Sequence, residues 1–177
     1  MTQATIVRPT ADEFYEYYGK YISKVPDVDL ISLLREQAVE TVTLLQNLTP
    51  QQANFAYEPG KWTVKEVVGH ISDAERVFAY RALRIGRGDT TELPGFDENA
   101  YAPMARSDLR AMAALRAELA AVRAATVALL DSFDEEAMLR RGTAGGHGIS
   151  ARALFWIIAG HELHHVALLR ERYGLSG

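Results

Sequence analysis

Between Asp27 and Leu48 the apolar residues Val28, Leu30, Ile31, Leu34, Ala38, Val42, Leu45 and Leu48 recur largely at steps of three and four. That spacing predicts a helix with one buried stripe. Upstream, Asp12 to Ser23 is a shorter amphipathic piece ending before Pro26. It predicts an N-terminal helix that packs through Phe14, Tyr17 and Tyr21, within an extension covering residues 1–26. After the turn at Glu58-Pro59-Gly60, Thr63 and Glu66 form a capping box that opens a second helix running to Gly86.

Residues 87–105 are rich in Gly, Pro and Asp and too long for an idle connection, which predicts a crossover or a lid. A third helix opens near Ser107 or Asp108 and continues through an Ala, Leu and Arg sequence of high helix propensity. A short helical turn at 134–140 leads into RGTAGGHG, expected to be a flexible loop. Ser150 then caps a fourth helix that stops at Gly174. No stretch alternates as a strand does. The expectation is an all-α fold: one domain over residues 1–177, a four-helix bundle with a crossover connection and a short N-terminal helix.

The seam of the fourth helix reads Leu154, Ile158, His161, His165, Leu168. Two histidines therefore hold core positions one turn apart on one face, a geometry suited to two ligands of one metal. In the second helix His70 stands in the stripe formed by Val67, Ala74 and Val77. A single histidine on an apolar face is more often a satisfied core residue. Three inward imidazoles are costly to bury without partners, and a shared metal ion resolves that cost. His164 turns about 100° off the seam and is expected at the rim; His147, among glycines, is expected to be exposed.

Depth along the helices bears on topology. His70 lies about 10 Å inside the start of the second helix, and residue 163 about 15 Å from the end of the fourth. Antiparallel second and fourth helices bring them level. The 87–105 segment, at about 3.3 Å per residue, is long enough to run the length of the bundle and start the third helix parallel to the second.

Composition narrows the function. Of 177 residues, 48% are hydrophobic and 24% charged, as in globular chains, and the net charge of −4 comes without a basic stripe. Nucleic acid and membrane surface are therefore not expected partners. There is no apolar run of about 20 residues and no signal-peptide pattern, so a cytoplasmic protein is expected. With no cysteine, any sulfur chemistry uses an external thiol.

The string His161-Glu162-Leu163-His164-His165 also fits H-E-x-x-H, in which a glutamate activates water in zinc proteases. Only twelve residues follow His165, leaving no room for the usual downstream third ligand, and no edge strand is available to bind a peptide. The protease reading is set aside.

With Trp62 shortly before His70, a P-G-F-D-E segment at Pro94 to Glu98, and H-E-L-H-H near the end, the chain resembles the DinB-like superfamily of metal-binding four-helix bundles. The similarity spans most of the sequence. It implies crossover connections, three histidine ligands at His70, His161 and His165, zinc or nickel as the metal, and a homodimer. Members resemble thiol S-transferases, thiol-dependent isomerases or metal-dependent hydrolases, so the resemblance implies no single reaction.

Three neutral imidazoles leave a coordination position open, the catalytic rather than the structural pattern. Asp73, three residues after His70, is a candidate partner for a ligand's second nitrogen. Asp97 and Tyr101 are candidates to overhang the metal, although Asp97 equally suits capping a local turn. Trp62 and Trp156 are read as core. The preferred function is a metal-dependent transferase joining a low-molecular-weight thiol to an electrophilic small-molecule substrate. A hydrolase with metal-activated water, and a metal-binding stress or interaction protein without turnover, are the alternatives.

Overall fold

The computed structural model describes residues 6–176. Two 3₁₀ turns, Ala11–Glu13 and Glu16–Tyr18, and a one-turn helix α1 (Gly19–Ile22) replace the continuous N-terminal helix expected from the sequence. They are followed by α2 (Leu30–Leu44), the single turn α3 (Pro50–Ala53), α4 (Val64–Gly86), α5 (Glu98–Ala105), α6 (Met112–Asp131), α7 (Glu135–Leu139), strands β1 (Arg141–Ala144) and β2 (His147–Ser150), and α8 (Ala151–Glu171).

The long helices start where side chains satisfy their first amides. Asp29 accepts from the Ser32 amide, Ser150 from the Ala153 amide, and Thr63 and Glu66 close the expected capping box on α4. At the other end of α8, Gly174 takes a left-handed φ of 70° just beyond the last turn.

Four helices, α2, α4, α6 and α8, form the bundle. Gly69, early in α4, abuts Ser107 just ahead of α6, and Gly86, the last residue of α4, abuts Phe133 just after it. Thus α4 and α6 run parallel, and residues 87–105 carry the chain back along the bundle. The Tyr173 hydroxyl, beyond the end of α8, donates to the Trp62 carbonyl ahead of α4 at 2.7 Å. This sets α4 and α8 antiparallel, with His70 level with His161.

A buried polar network joins all four helices at nearly that level. Arg123 of α6 donates from Nε and Nη2 to the two carboxylate oxygens of Glu75 in α4, each at 2.8 Å, and from Nη2 to Glu162 of α8. Its Nη1 donates to the Leu34 carbonyl of α2 at 2.9 Å. Thr41 donates to Glu162 at 2.6 Å, and Gln37 to the Ala159 carbonyl at 3.0 Å. Every one of these side chains is nearly solvent-free, and their pairing offsets a desolvation cost of several kcal/mol per ion.

Two further sequence expectations are corrected. The segment read as a flexible loop, in a chain read as having no strand, is an antiparallel hairpin pairing Arg141 with Ser150 and Ala144 with His147. Gly145 and Gly146, both at positive φ, make its turn, and Leu93 extends it through bonds to Thr143 and Gly145 at 2.9 Å. The 87–105 connection, in turn, is not wholly irregular: its second half is α5. No helix among the described residues is long and apolar enough to cross a membrane.

Candidate metal centre

His70, His161 and His165 converge. Nε2 of His161 lies 3.1 Å from Nε2 of His70 and 3.1 Å from Nε2 of His165. The three ligand atoms lie within 4.8 Å of one another, on side chains that are all buried. This follows from the helices: residues 161 and 165 are stacked on one face of α8, and antiparallel packing brings His70 of α4 opposite them.

A neutral imidazole has one N–H, so His161 Nε2 can donate to at most one of its two neighbours. Each of the three Nε2 atoms is either a donor or an acceptor, so at least two of them are alike and face each other as N–H to N–H or lone pair to lone pair unless a cation lies between them. Tetrahedral coordination at Zn–N distances of about 2.0–2.1 Å separates donors by about 3.3 Å, close to what is found. The donor set thus fits a divalent metal of the zinc, nickel or copper kind.

Burial holds the cluster neutral. It lowers His70 from 6.5 to about 4, against a smaller opposing pull from Glu98. His161 and His165 are pushed well below 6.5, by burial first and then by neighbouring imidazoles. Neutral imidazole is the form that binds a metal.

The surroundings fix the rings. Trp62 lies against His70 at 4.7 Å between centroids, and Tyr21 meets His161 edge-on at 5.2 Å. Tyr21 reaches that position because Gly160 has no side chain: a Cβ there would stand 2.1 Å from the Tyr21 carbonyl oxygen. The Nδ1 of His165 is buried and has no hydrogen-bond partner among the described residues.

The other sequence candidates fall around this cluster rather than in it. Asp73 is half-buried and pairs with Arg76 at 3.4 Å; among the described residues it has no hydrogen bond to a histidine. His164 is half-buried at the rim, its ring 5.4 Å from Tyr21. Asp97 caps α5 by accepting from the amides of Asn99 and Ala100, which is the local-turn role. Tyr101 is exposed and packs on Phe96 at 5.5 Å. Glu162 turns away from the histidines into the Arg123 network, unlike the water-activating glutamate of H-E-x-x-H proteases.

A cavity of about 220 Å³ opens onto His70 and His161. Tyr15, Tyr17, Tyr18 and Tyr21 of the N-terminal segment form one wall, and Phe78 of α4 with Phe96 of the crossover forms another. The hairpin closes the rim, where His147 stacks on Tyr15 at 3.7 Å with an interplanar angle of 10°. Arg81 and Glu98 bring opposite charges to the lining. Neither stood out in the sequence reading. For Arg81 the available signal was a charged side chain on the stripe that carries His70, Ala74 and Phe78.

Comparison with known proteins agrees with this architecture. The family model described as the DinB superfamily matches residues 33–169. A curated protein of Geobacillus kaustophilus (strain HTA426), named "Putative metal-dependent hydrolase GK0616", is 30% identical over 151 residues, covering 81% of this chain and 84% of its own. Among solved structures, YfiT from Bacillus subtilis, described as a probable metal-dependent hydrolase with an unusual four-helix bundle topology, superposes with a TM-score of 0.71. It does so at 22% identity, over 96% of this chain and 95% of that one. The mycothiol-dependent maleylpyruvate isomerase superposes with a TM-score of 0.67 at 16% identity, over 88% of this chain and 64% of that one. On the matched span and the identity to its relative, the chain belongs to the DinB superfamily.

Proposed function

We propose that His70, His161 and His165 hold one divalent metal through Nε2, and that the protein joins a low-molecular-weight thiol to an electrophilic small molecule at that centre. The observation that carries the reading is the convergence of three buried, neutral imidazoles, two of which, His70 and His161, line an aromatic cavity. When bound, the ion acts as a Lewis acid that lowers the pKa of a coordinated thiol or water.

The protein's own groups do the rest. Neutral donors leave the full charge of the ion to act on the nucleophile. Tyr15, Tyr18, Phe78 and Phe96 surround a flat electrophile and exclude water. In the reaction the thiol gives up its proton to solvent, its sulfur forms the new S–C bond, and the electrophile's leaving group departs with the electron pair. No carboxylate hydrogen-bonds to the three histidines among the described residues. Either a thiol or a water would therefore depend on the ion itself for its acidity.

Hydrolysis is the second reading. Glu98 lines the same cavity and is the carboxylate available there as a base, and the Geobacillus relative carries a hydrolase name.

Metal analysis of tag-free protein, joined to turnover assays, tests both. About one zinc or nickel ion per chain is expected, and it should fall strongly in His70→Ala; unchanged metal content in that variant would overturn the site. Thiol-dependent consumption of monobromobimane or chlorodinitrobenzene, lost in His161→Ala, selects transfer. Ester or amide turnover without thiol selects hydrolysis. Metal without either turnover leaves a binding protein.

A further inference from the structure

Arg81 is 4% exposed, yet among the described residues no carboxylate forms an ion pair with it. Its Nη2 donates to the Pro94 carbonyl at 2.6 Å. The other buried arginine of the bundle, Arg123, is held by two carboxylates. Withdrawing a guanidinium from water without a counter-charge costs several kcal/mol, and Arg81 lines the same cavity as His70 and His161.

Its place on α4 aims it at the metal centre. Eleven residues separate it from His70, which at about 100° per residue returns it to within about 20° of the same face, some three turns further on. Helical side chains lean toward the N-terminus, so the arginine reaches back toward the histidines. Phe78 lies between: its ring is 6.0 Å from the His161 ring and 5.9 Å from Arg81 Cζ. Phe96 flanks the guanidinium at 5.7 Å.

We infer that Arg81 is a carboxylate-recognition residue. A flat, conjugated or aromatic acid lies along Phe78 and Phe96 with its carboxylate on the guanidinium and its other end at the histidines. The cavity, below the roughly 300–1,000 Å³ of sites for drug-sized ligands, limits that acid to a small molecule. Glu98, on the same lining without reaching Arg81, disfavours a second carboxylate on its side. The carboxylate belongs either to the electrophile or to the thiol; the chemistry at Arg81 is the same. The orientation toward the histidines rests on the proposed metal reading, whereas the recognition of the acid does not.

Calorimetric binding to zinc-treated and to metal-free protein separates these points. The probes are two matched pairs: benzoate with benzamide, and N-acetylcysteine with its amide. In at least one pair the acid should bind ten-fold or more tighter than the amide. A preference in the benzoate pair assigns the carboxylate to the electrophile, and one confined to the cysteine pair assigns it to the thiol. Arg81→Gln should erase the preference, Arg81→Lys should keep part of it, and Glu98→Gln should strengthen acid binding without changing that of the amide. Should Arg81→Gln fail to fold, the lysine and Glu98 variants still decide. Equal binding of acid and amide in both pairs overturns the inference. So does a preference that survives in Arg81→Gln, because the acid then sits on the metal. Loss of the preference only on metal removal likewise overturns it, whereas absence of zinc with the preference intact counts against the metal reading alone.

Discussion

Gly160 of α8 and the Tyr21 carbonyl of α1 are in backbone contact, so close that a Cβ on the glycine would stand 2.1 Å from the Tyr21 oxygen. In an unconstrained helix interior, glycine to alanine gains about 0.5–1 kcal/mol. Here Gly160→Ala should instead lose about 1–3 kcal/mol, the cost of overpacking. It should also move Tyr21 off the His161 ring. Denaturant melts check the first effect and imidazole chemical shifts the second; a stabilised alanine variant would contradict the packing.

The histidine cluster makes the metal-free protein sensitive to mild acid. His70 takes up a proton near 4 when folded, against 6.5 when exposed. Between those values the unfolded chain holds more protons, so stability is complete above pH 6.5 and falls as pH drops toward 4. His161 and His165, shifted the same way, steepen the fall. Thermal melts of metal-free protein should show this slope, flattened in His70→Asn, and added zinc should raise the midpoint. A midpoint independent of pH from 7 to 4.5 would count against burial of the neutral rings.

Glu162 separates two uses of the same motif. Because its carboxylate accepts from Thr41 and Arg123 rather than facing the histidines, Glu162→Gln should retain metal and most turnover, with a stability loss of about 1.5–3 kcal/mol. Arg123→Met leaves Glu75 and Glu162 buried and unpaired and should cost about 3–5 kcal/mol. Abolished turnover in a folded, metal-loaded Glu162→Gln protein would restore the protease-type role.

Glu13 fastens the N-terminal segment. Its carboxylate accepts from Ser150 at 2.7 Å, from Arg152 Nε at 2.7 Å and from the Thr10 amide at 2.9 Å. Burial alone would raise its pKa, but these partners outweigh it and hold the group at about 2 against an ordinary 4.5. That contribution is present above pH 4.5 and lost as pH falls toward 2. Glu13→Gln should cost about 1.5–3 kcal/mol and speed proteolysis within residues 6–25 at neutral pH. Unchanged cleavage there would show that other contacts hold the segment.

Much of the bundle was legible in the sequence because its signals are local. The Thr63–Glu66 capping box, the Ser150 cap and the stripe around His70 each fix a helix end or face without reference to the rest of the chain. The depth of His70 against His161 followed from helix rise alone. The hairpin was not legible: its strands have four residues each, too few for alternation to register, and its pairing with Leu93 is non-local. Nor was the aromatic wall, since the spacing of Tyr15, Tyr17, Tyr18 and Tyr21 does not reveal that Gly160 admits the Tyr21 backbone beside His161. The Arg123 network lay hidden because its charges come from separate helices, and each alone resembles a solvated polar residue.

The four wall tyrosines all precede residue 33, where the family match begins, whereas the three histidines lie inside it. The proposed metal ligands and one wall of the cavity beside them are thus carried by different stretches of chain, joined through the bare backbone of Gly160 and the Glu13 anchor. Changes before residue 33 can therefore reshape the cavity wall while the histidine cluster, set by α4 and α8, stays as it is.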